Sequence, residues 1–368
     1  ASPEHQSLDW VTGLFFTREQ GNAGQTGLAL IPGTNQPDPI FDPLIVTDEP
    51  SHFREIAAFG NATFHLTPAW DVSAGLRWSR NKQSVRETAY GSLFGVPASD
   101  PELTPFPAVA QNKVTYSVST SYHLTPDKML YARVATGYRP GGANKIAPDA
   151  PPTFGPDTTT NYELAFKSEW LDRRLQFNLT TFYIDWKNTQ VTGVTPLFLT
   201  YLSNAGAATS KGVELAMRYA PLRGLTLGLN STYTNARLTV DAPGLGGLRG
   251  DPLPSTPKFS GSFTLDYEYP LSADLKGQFG AVARHVGARN TAFPGSPDVN
   301  GNVRLASYDT LDLSAGVGRD AWSARLFVRN VTNRYAYLFV VPAGGADAPS
   351  ANVILQPRMF GLSIDTRF

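Results

Sequence analysis

The side chains able to do chemistry in this chain are charged groups spread along the polar face of alternating segments, and they form no compact catalytic set. Arg77, Arg133, Glu163, Lys167, Glu214, Arg218, Asp266, Arg325 and Arg329 all take such positions. Fixed charges arranged in this way line a wall past which a solute can bind or move. The five histidines, at 5, 52, 65, 123 and 285, lack the spacing of a metal cage. His65 and His123 each precede a Leu-Thr-Pro run, which assigns them to hairpins. No Ser or acid beside a His is marked out as catalytic. Gly137, Gly141 and Gly142 precede no helix and so make no phosphate cradle; they read as a strand end and turn, with Arg139 an inward charge. The expectation is a protein that is no enzyme and holds no cofactor and no metal.

Composition narrows the classes. Apolar residues make up 41%, and no run approaches the ~20 apolar residues of a spanning helix. A membrane barrel needs only every second strand residue to be apolar, so it stays open. With 31 basic and 31 acidic residues the formal charge is zero, which argues against a nucleic-acid partner. There is no cysteine, hence no disulfide and no thiolate metal site. Ser2-Pro3-Glu4 reads as a cut, so a mature form or a fragment is expected.

The elements that must position the charges are strands. Val114, Tyr116, Val118, Thr120, Tyr122 and Leu124 share a face opposite Lys113, Thr115, Ser117, Ser119 and Ser121, the period of two that a strand imposes. About fourteen such segments follow one another, near 6–18, 52–66, 69–85, 111–124, 127–139, 158–170, 173–187, 208–219, 223–238, 257–269, 274–287, 307–318, 321–333 and 356–368. Most exceed the ~5–6 residues of soluble strands and suit tilted membrane strands. Short turns strictly take turns with long Gly- and Pro-rich connections, roughly 19–51, 86–111, 140–157, 188–207, 239–256, 288–306 and 334–355. One end of the structure therefore carries tight turns and the other all the large loops, as in outer-membrane barrels. Phe182-Tyr183-Ile184-Asp185-Trp186 is apolar on both faces, which predicts a bulge or a loop-covered strand end. The Asn-X-Ser/Thr triplets at Asn61, Asn178, Asn230 and Asn330 fall inside these segments and are expected as ladder residues.

Aromatic residues collect on the apolar face beside the short turns: Phe64, Trp70, Tyr122, Trp170, Tyr219, Tyr267, Tyr269, Trp322 and Phe368. Amphipathic rings at one level mark a bilayer interface. The last segment puts Phe360, Leu362, Ile364, Thr366 and Phe368 on one face, against Gly361, Ser363, Asp365 and Arg367. It resembles the closing strand of a bacterial outer-membrane barrel, and that resemblance implies that Phe360, Leu362, Ile364 and Phe368 form an assembly signal for the outer-membrane assembly machinery.

Longer motifs resemble TonB-dependent outer-membrane receptors. They are Ala132-Arg133-Val134-Ala135-Thr136-Gly137-Tyr138-Arg139-Pro140-Gly141-Gly142-Ala143-Asn144, Asn161-Tyr162-Glu163-Leu164-Ala165-Phe166-Lys167, Ser203-Asn204-Ala205-Gly206 with Lys211-Gly212-Val213-Glu214-Leu215, Pro254-Ser255-Thr256-Pro257, Val328-Arg329-Asn330-Val331-Thr332-Asn333-Arg334-Tyr335 and Pro357-Arg358-Met359-Phe360-Gly361. In this order they cover about residues 110–368, and Leu8-Asp9-Trp10-Val11-Thr12-Gly13-Leu14-Phe15 is similar to a middle strand. The resemblance implies an all-β, antiparallel transmembrane barrel domain over 1–368, part of a 22-strand barrel whose N-terminal plug and first strands are not in this chain. Fourteen is even, so closure of these strands alone is not forbidden.

The function the resemblance implies is energy-coupled import of a scarce small molecule, such as a ferric siderophore or other metal chelate, across the outer membrane of a Gram-negative bacterium. TonB would act through the plug, and outer-membrane lipid would surround the wall. The alternative is a passive, porin-like diffusion channel with a lumen lined by Arg133, Glu163, Lys167, Glu214 and Arg218. Ligand-contact candidates are those five with Arg139, Trp186, Tyr201 and Tyr337; the loop aromatics Phe94, Phe106, Phe154, Phe198, Phe293 and Phe339 either contact ligand or pack on one another.

Overall fold

In the computed structural model, residues 7–34, 36–144, 150–194, 200–204, 206–296, 302–341 and 351–366 are described. Among the candidates above, His5, Phe198, Arg367 and Phe368 lie outside them. Fourteen long strands hydrogen-bond to their chain neighbours in one antiparallel sheet. They are β1 (Leu8–Gly27), β2 (Ile45–Thr67), β3 (Trp70–Tyr90), β4 (Val109–Thr125), β5 (Lys128–Arg139), β6 (Asp157–Trp170) and β7 (Leu175–Lys187). Then come β8 (Ala207–Leu222), β9 (Leu225–Leu238), β10 (Phe259–Pro270), β11 (Lys276–Val286), β12 (Tyr308–Arg319), β13 (Trp322–Arg329) and β14 (Met359–Thr366). Among the described residues β1 pairs only with β2 and β14 only with β13, so the ladder is open at both ends.

Register decides which face each side chain takes, because directly opposed residues point the same way. The pairs Trp70↔Tyr122, Leu175↔Trp170, Leu225↔Tyr267 and Trp322↔Thr366 put the aromatics beside the short turns on one face. A second belt lies higher on that face, with Trp78 opposite Val114, Tyr162 opposite Tyr183 and Tyr233 opposite Phe259. Between the belts the face is apolar and exposed, with Leu76, Val118 and Leu164 prominent. Two rings of aromatics flanking an apolar band is the outward surface of a membrane barrel. The opposite face, carrying the charges, is the inner one.

The strands run further into the loop end than their alternation predicts. β1 continues to Gly27 and β2 begins at Ile45, since a backbone ladder needs no apolar face once it has risen above lipid. The long connections also carry small hairpins of their own, at Gln190–Val194 with Thr200–Asn204 and at Tyr337–Val341 with Ala351–Ile354.

One open alternative is decided and one local expectation is corrected. β7 pairs without a register shift from Leu175 to Lys187 on both sides, so Phe182–Trp186 contains no bulge. Phe182 lies over Gly212 on the neighbouring strand, where a Cβ would come within 2.7 Å of its ring, and Trp186 is covered by loops. Asn330 is no ladder residue. β13 stops at Arg329, and Asn330 turns the chain with φ 49° and its side chain buried.

Candidate functional site

The inner face is a lattice of charges held by adjacent strands. Arg133 on β5 sits directly opposite Glu163 on β6, with Nη1 and Oε1 3.6 Å apart. One step down the same face, the Lys167 ammonium lies 5.6 Å from the Tyr131 ring centre, a cation–π contact. Glu214 and Arg218 project from β8 onto the same face, and neither has an ion-pair partner among the described residues. Pairs that alternation alone did not reveal complete the lining: Arg77 with Glu55 at 2.7 Å and Arg284 with Asp312 at 2.6 Å. At the turn end His65 bridges Asp9, at 3.0 Å, and Asp71, at 2.6 Å. That bridge ties β1, β2 and β3 together, the hairpin role its position suggested.

Toward the loop end, β5 leaves β4 above Ala135, and the Tyr138 hydroxyl reaches Ser79 at 2.7 Å and Asn81 at 3.0 Å on β3. The following segment folds inside the wall, where the Gly141 amide donates to Gln111. Arg139 donates to the Asp157 carboxylate at 2.6 Å and to the Gln190 carbonyl at 3.1 Å. Asp157, 4% exposed at its side chain, also accepts from the Gln190 amide. Three side-chain amides then clamp the loops. Gln190 Nε2 donates to the carbonyls of Pro140 and Gly155, Asn204 bonds both amide and carbonyl of Gly155, and Asn144 does the same with Leu202. Asn144 and Asn204 belong to motifs singled out in the sequence, and their role is to fix the mouth.

Behind these clamps the loops after β7, β9 and β11 form a half-open cavity of about 370 Å³. Trp186, Leu238, Leu245, Leu253 and Phe293 form its apolar lining, resting on buried Ala208 and Ala242. Among the described residues no charged group lines it; its polar groups are the side chains of Thr189, Gln190, Thr192, Thr256, Thr291 and Ser296. Thr189 is 3% exposed and its Oγ1 has no hydrogen-bond partner among the described residues. A buried hydroxyl without a partner costs stability, and a ligand atom in the cavity would supply one. Leucines 238, 245 and 253 escaped sequence reading because nothing in their spacing joins them.

Trp186, at the end of β7, and the loop aromatic Phe293 meet at this cavity. Tyr201 sits on the hairpin beside it, opposite Gly193. Tyr337 and Phe339 stand exposed on another hairpin, where Tyr337 meets Tyr335 edge-on at 5.4 Å. A hydrogen bond with Tyr337 pushes the Tyr335 phenol above its ordinary value. The candidates thus divide into a charged inner wall, an uncharged cavity and an exposed aromatic hairpin. Among the described residues no group of His, Cys, Asp and Glu could hold a metal ion.

A family model described as TonB dependent receptor-like, beta-barrel matches residues 5–331. The chain belongs to the TonB-dependent receptor β-barrel family. The pesticin receptor of Yersinia pestis is 30% identical over 291 residues, 77% of this chain but 40% of that receptor. The metal-pseudopaline receptor of Pseudomonas aeruginosa is 27% identical over 246 residues, 67% of this chain and 32% of its own length. This TonB-dependent receptor barrel therefore spans less than half the length of these relatives. Its fold matches the ferric yersiniabactin uptake receptor of Yersinia pestis with a TM-score of 0.78 at 22% identity, over 99% of this chain and 52% of that one. The ferric-catecholate import receptor of Escherichia coli gives 0.77 at 19%, over 98% and 52%. TonB-dependent receptors are outer-membrane barrels of Gram-negative bacteria that take up small ligands such as siderophores and metal chelates; the family is one of receptors and transporters.

Proposed function

We propose that this chain is the C-terminal part of an outer-membrane receptor that imports a scarce small ligand, a metal chelate, with energy coupled through TonB. The observation that carries the reading is the uncharged cavity at the mouth, set directly above a charged inner wall. A diffusion channel has no need of an apolar, loop-roofed cavity with an unsatisfied hydroxyl. A receptor does, since it must hold a dilute ligand before moving it. The open ladder supports a larger barrel, because free edges of β1 and β14 cannot face hydrocarbon without losing their backbone hydrogen bonds. A plug, further strands and contact with TonB belong to this reading. Arg133, Glu163, Lys167, Glu214 and Arg218 would then guide the ligand or contact the plug, while Trp186 and Tyr201 would contact the ligand at the mouth.

The experiment is uptake of radiolabelled ferric chelates by cells producing the intact receptor, with and without TonB. Accumulation that needs both the receptor and TonB supports the proposal. TonB-independent accumulation, with steady conductance in a planar bilayer, would establish the channel instead.

A further inference from the structure

On the outward face of β1, β2 and β3, Arg18 lies directly opposite Arg54, and Arg54 directly opposite Lys82. Arg80 is two positions from Lys82 on the same face, opposite Ile56. Like charges placed opposite one another on adjacent strands repel. Yet all four are exposed, and none has a hydrogen bond or ion pair among the described residues. The nearest acidic residue on the outward face of these strands is Asp48, six positions above Arg54 and already bonded to Asn22.

Their height is what gives the cluster meaning. Trp70 in the lower aromatic belt and Arg80 are ten residues apart on one strand, as are Phe64 and Arg54 on the next. At ~3.3 Å per residue and ~45° tilt this is roughly 23 Å, close to the ~25 Å apolar band of an outer-membrane barrel. Directly beneath the cations lie Leu14, Phe16, Ile56, Leu76 and Trp78, all exposed. The four charges therefore cap a greasy strip at the level of the outer-leaflet headgroups.

We propose that Arg18, Arg54, Arg80 and Lys82 form a binding site for the phosphorylated headgroup of an outer-leaflet lipid, whose acyl chains run down the strip beneath. A phosphate brings the negative charge that the strands lack, and Arg forks suit its oxygens. A free anion would satisfy the charges but leave the apolar strip unused. The site is on the outside of the wall, so it stands whether or not the uptake reading does.

The test uses the intact receptor, delipidated in a non-ionic detergent and titrated with diphosphorylated lipid A, its dephosphorylated form and inorganic phosphate, with bound lipid read by native mass spectrometry. Wild type should prefer the phosphorylated lipid, and inorganic phosphate should not displace it. Replacing all four by Gln (R18Q, R54Q, R80Q, K82Q) should weaken that binding by at least about tenfold. A charge-keeping set (R18K, R54K, R80K) loses the forks but keeps the charge, so it should bind more weakly than wild type and more tightly than the Gln set, which separates loss of charge from loss of fold. Removing cations at the turn end (R223Q, R319Q) should change nothing. Equal binding by wild type and the Gln set, indifference to the lipid phosphates, or displacement by inorganic phosphate would each overturn the proposal.

Discussion

The backbones of Gly246 and Gly295 touch. The Gly295 amide donates to the Gly246 carbonyl at 3.0 Å, and a Cβ added to Gly246 would fall 1.6 Å from the Gly295 carbonyl oxygen. Gly246 also has φ 66°, where a side chain is strained. This contact joins the loops after β9 and β11 across the roof of the cavity.

Gly246→Ala should therefore open the cavity while sparing the wall. The strain and overlap cost roughly 1–3 kcal/mol, which separating the loops relieves. Hydrogen exchange should rise in 239–256 and 288–296 and stay unchanged in β7 to β11. Chelate affinity of the intact receptor should fall by about tenfold. Unchanged exchange in both loops would show that the contact does not hold the roof.

Arg139 and Asp157 should be linked in their effects on the mouth. Removing Arg139 leaves a buried carboxylate with, among the described residues, only the Gln190 amide as partner, a loss of about 1.5–3 kcal/mol for a charged hydrogen bond. Arg139→Ala should make the connection between β5 and β6 sensitive to protease. Asp157→Asn in the same background should recover part of the protection by removing the stranded charge. If the second change added to the first, the pair would not be coupled.

Asn330 should tolerate no common replacement. Its Nδ2 donates to the carbonyls of Arg334 and Gln356, and its Oδ1 accepts from the Arg334 amide. Asn330→Ala should destabilise the β13–β14 connection by about 2–4 kcal/mol. Asn330→Gly relieves the positive φ but restores no bond, and should recover about 1 kcal/mol. Unfolding in urea, followed by heat-modifiable gel mobility, measures both. Equal midpoints for the Ala variant and wild type would exclude a clamping role.

The terminal aromatic should act on assembly more than on stability. β14 exposes Phe360, Leu362 and Ile364 on its outward face, in register with Val328, Leu326 and Ala324. Phe368 lies outside the described residues, and the alternation of the sequence alone predicts the same face for it. Burial of one Phe contributes roughly 1.5–3 kcal/mol, which a large barrel survives. Deleting Phe368 should cut outer-membrane yield severely and lower the melting temperature of assembled receptor only slightly, whereas Arg367→Ala should do neither. Equal loss of yield from both changes would remove Phe368 from the signal.

The strands, the sorting of short turns from long loops and the lower aromatic belt were legible in the sequence. All three arise locally, from a period of two imposed where one face meets lipid and the other does not. The same rule left Phe182–Trp186 between a bulge and a loop-covered strand end, because an apolar inner face looks like an apolar outer one until the loops that cover it are seen. It also overran β13, because the turn at Asn330 depends on carbonyls at Arg334 and Gln356. Motif asparagines 144 and 204 could be noticed but not explained, since their partners at Leu202 and Gly155 lie 58 and 49 residues away. The cavity and the facing cations are likewise products of register. Alternation puts Arg18, Arg54 and Lys82 each on an outward face, but only the pairing of three strands sets them side by side, because a slip of one residue in any strand would turn its cation inward.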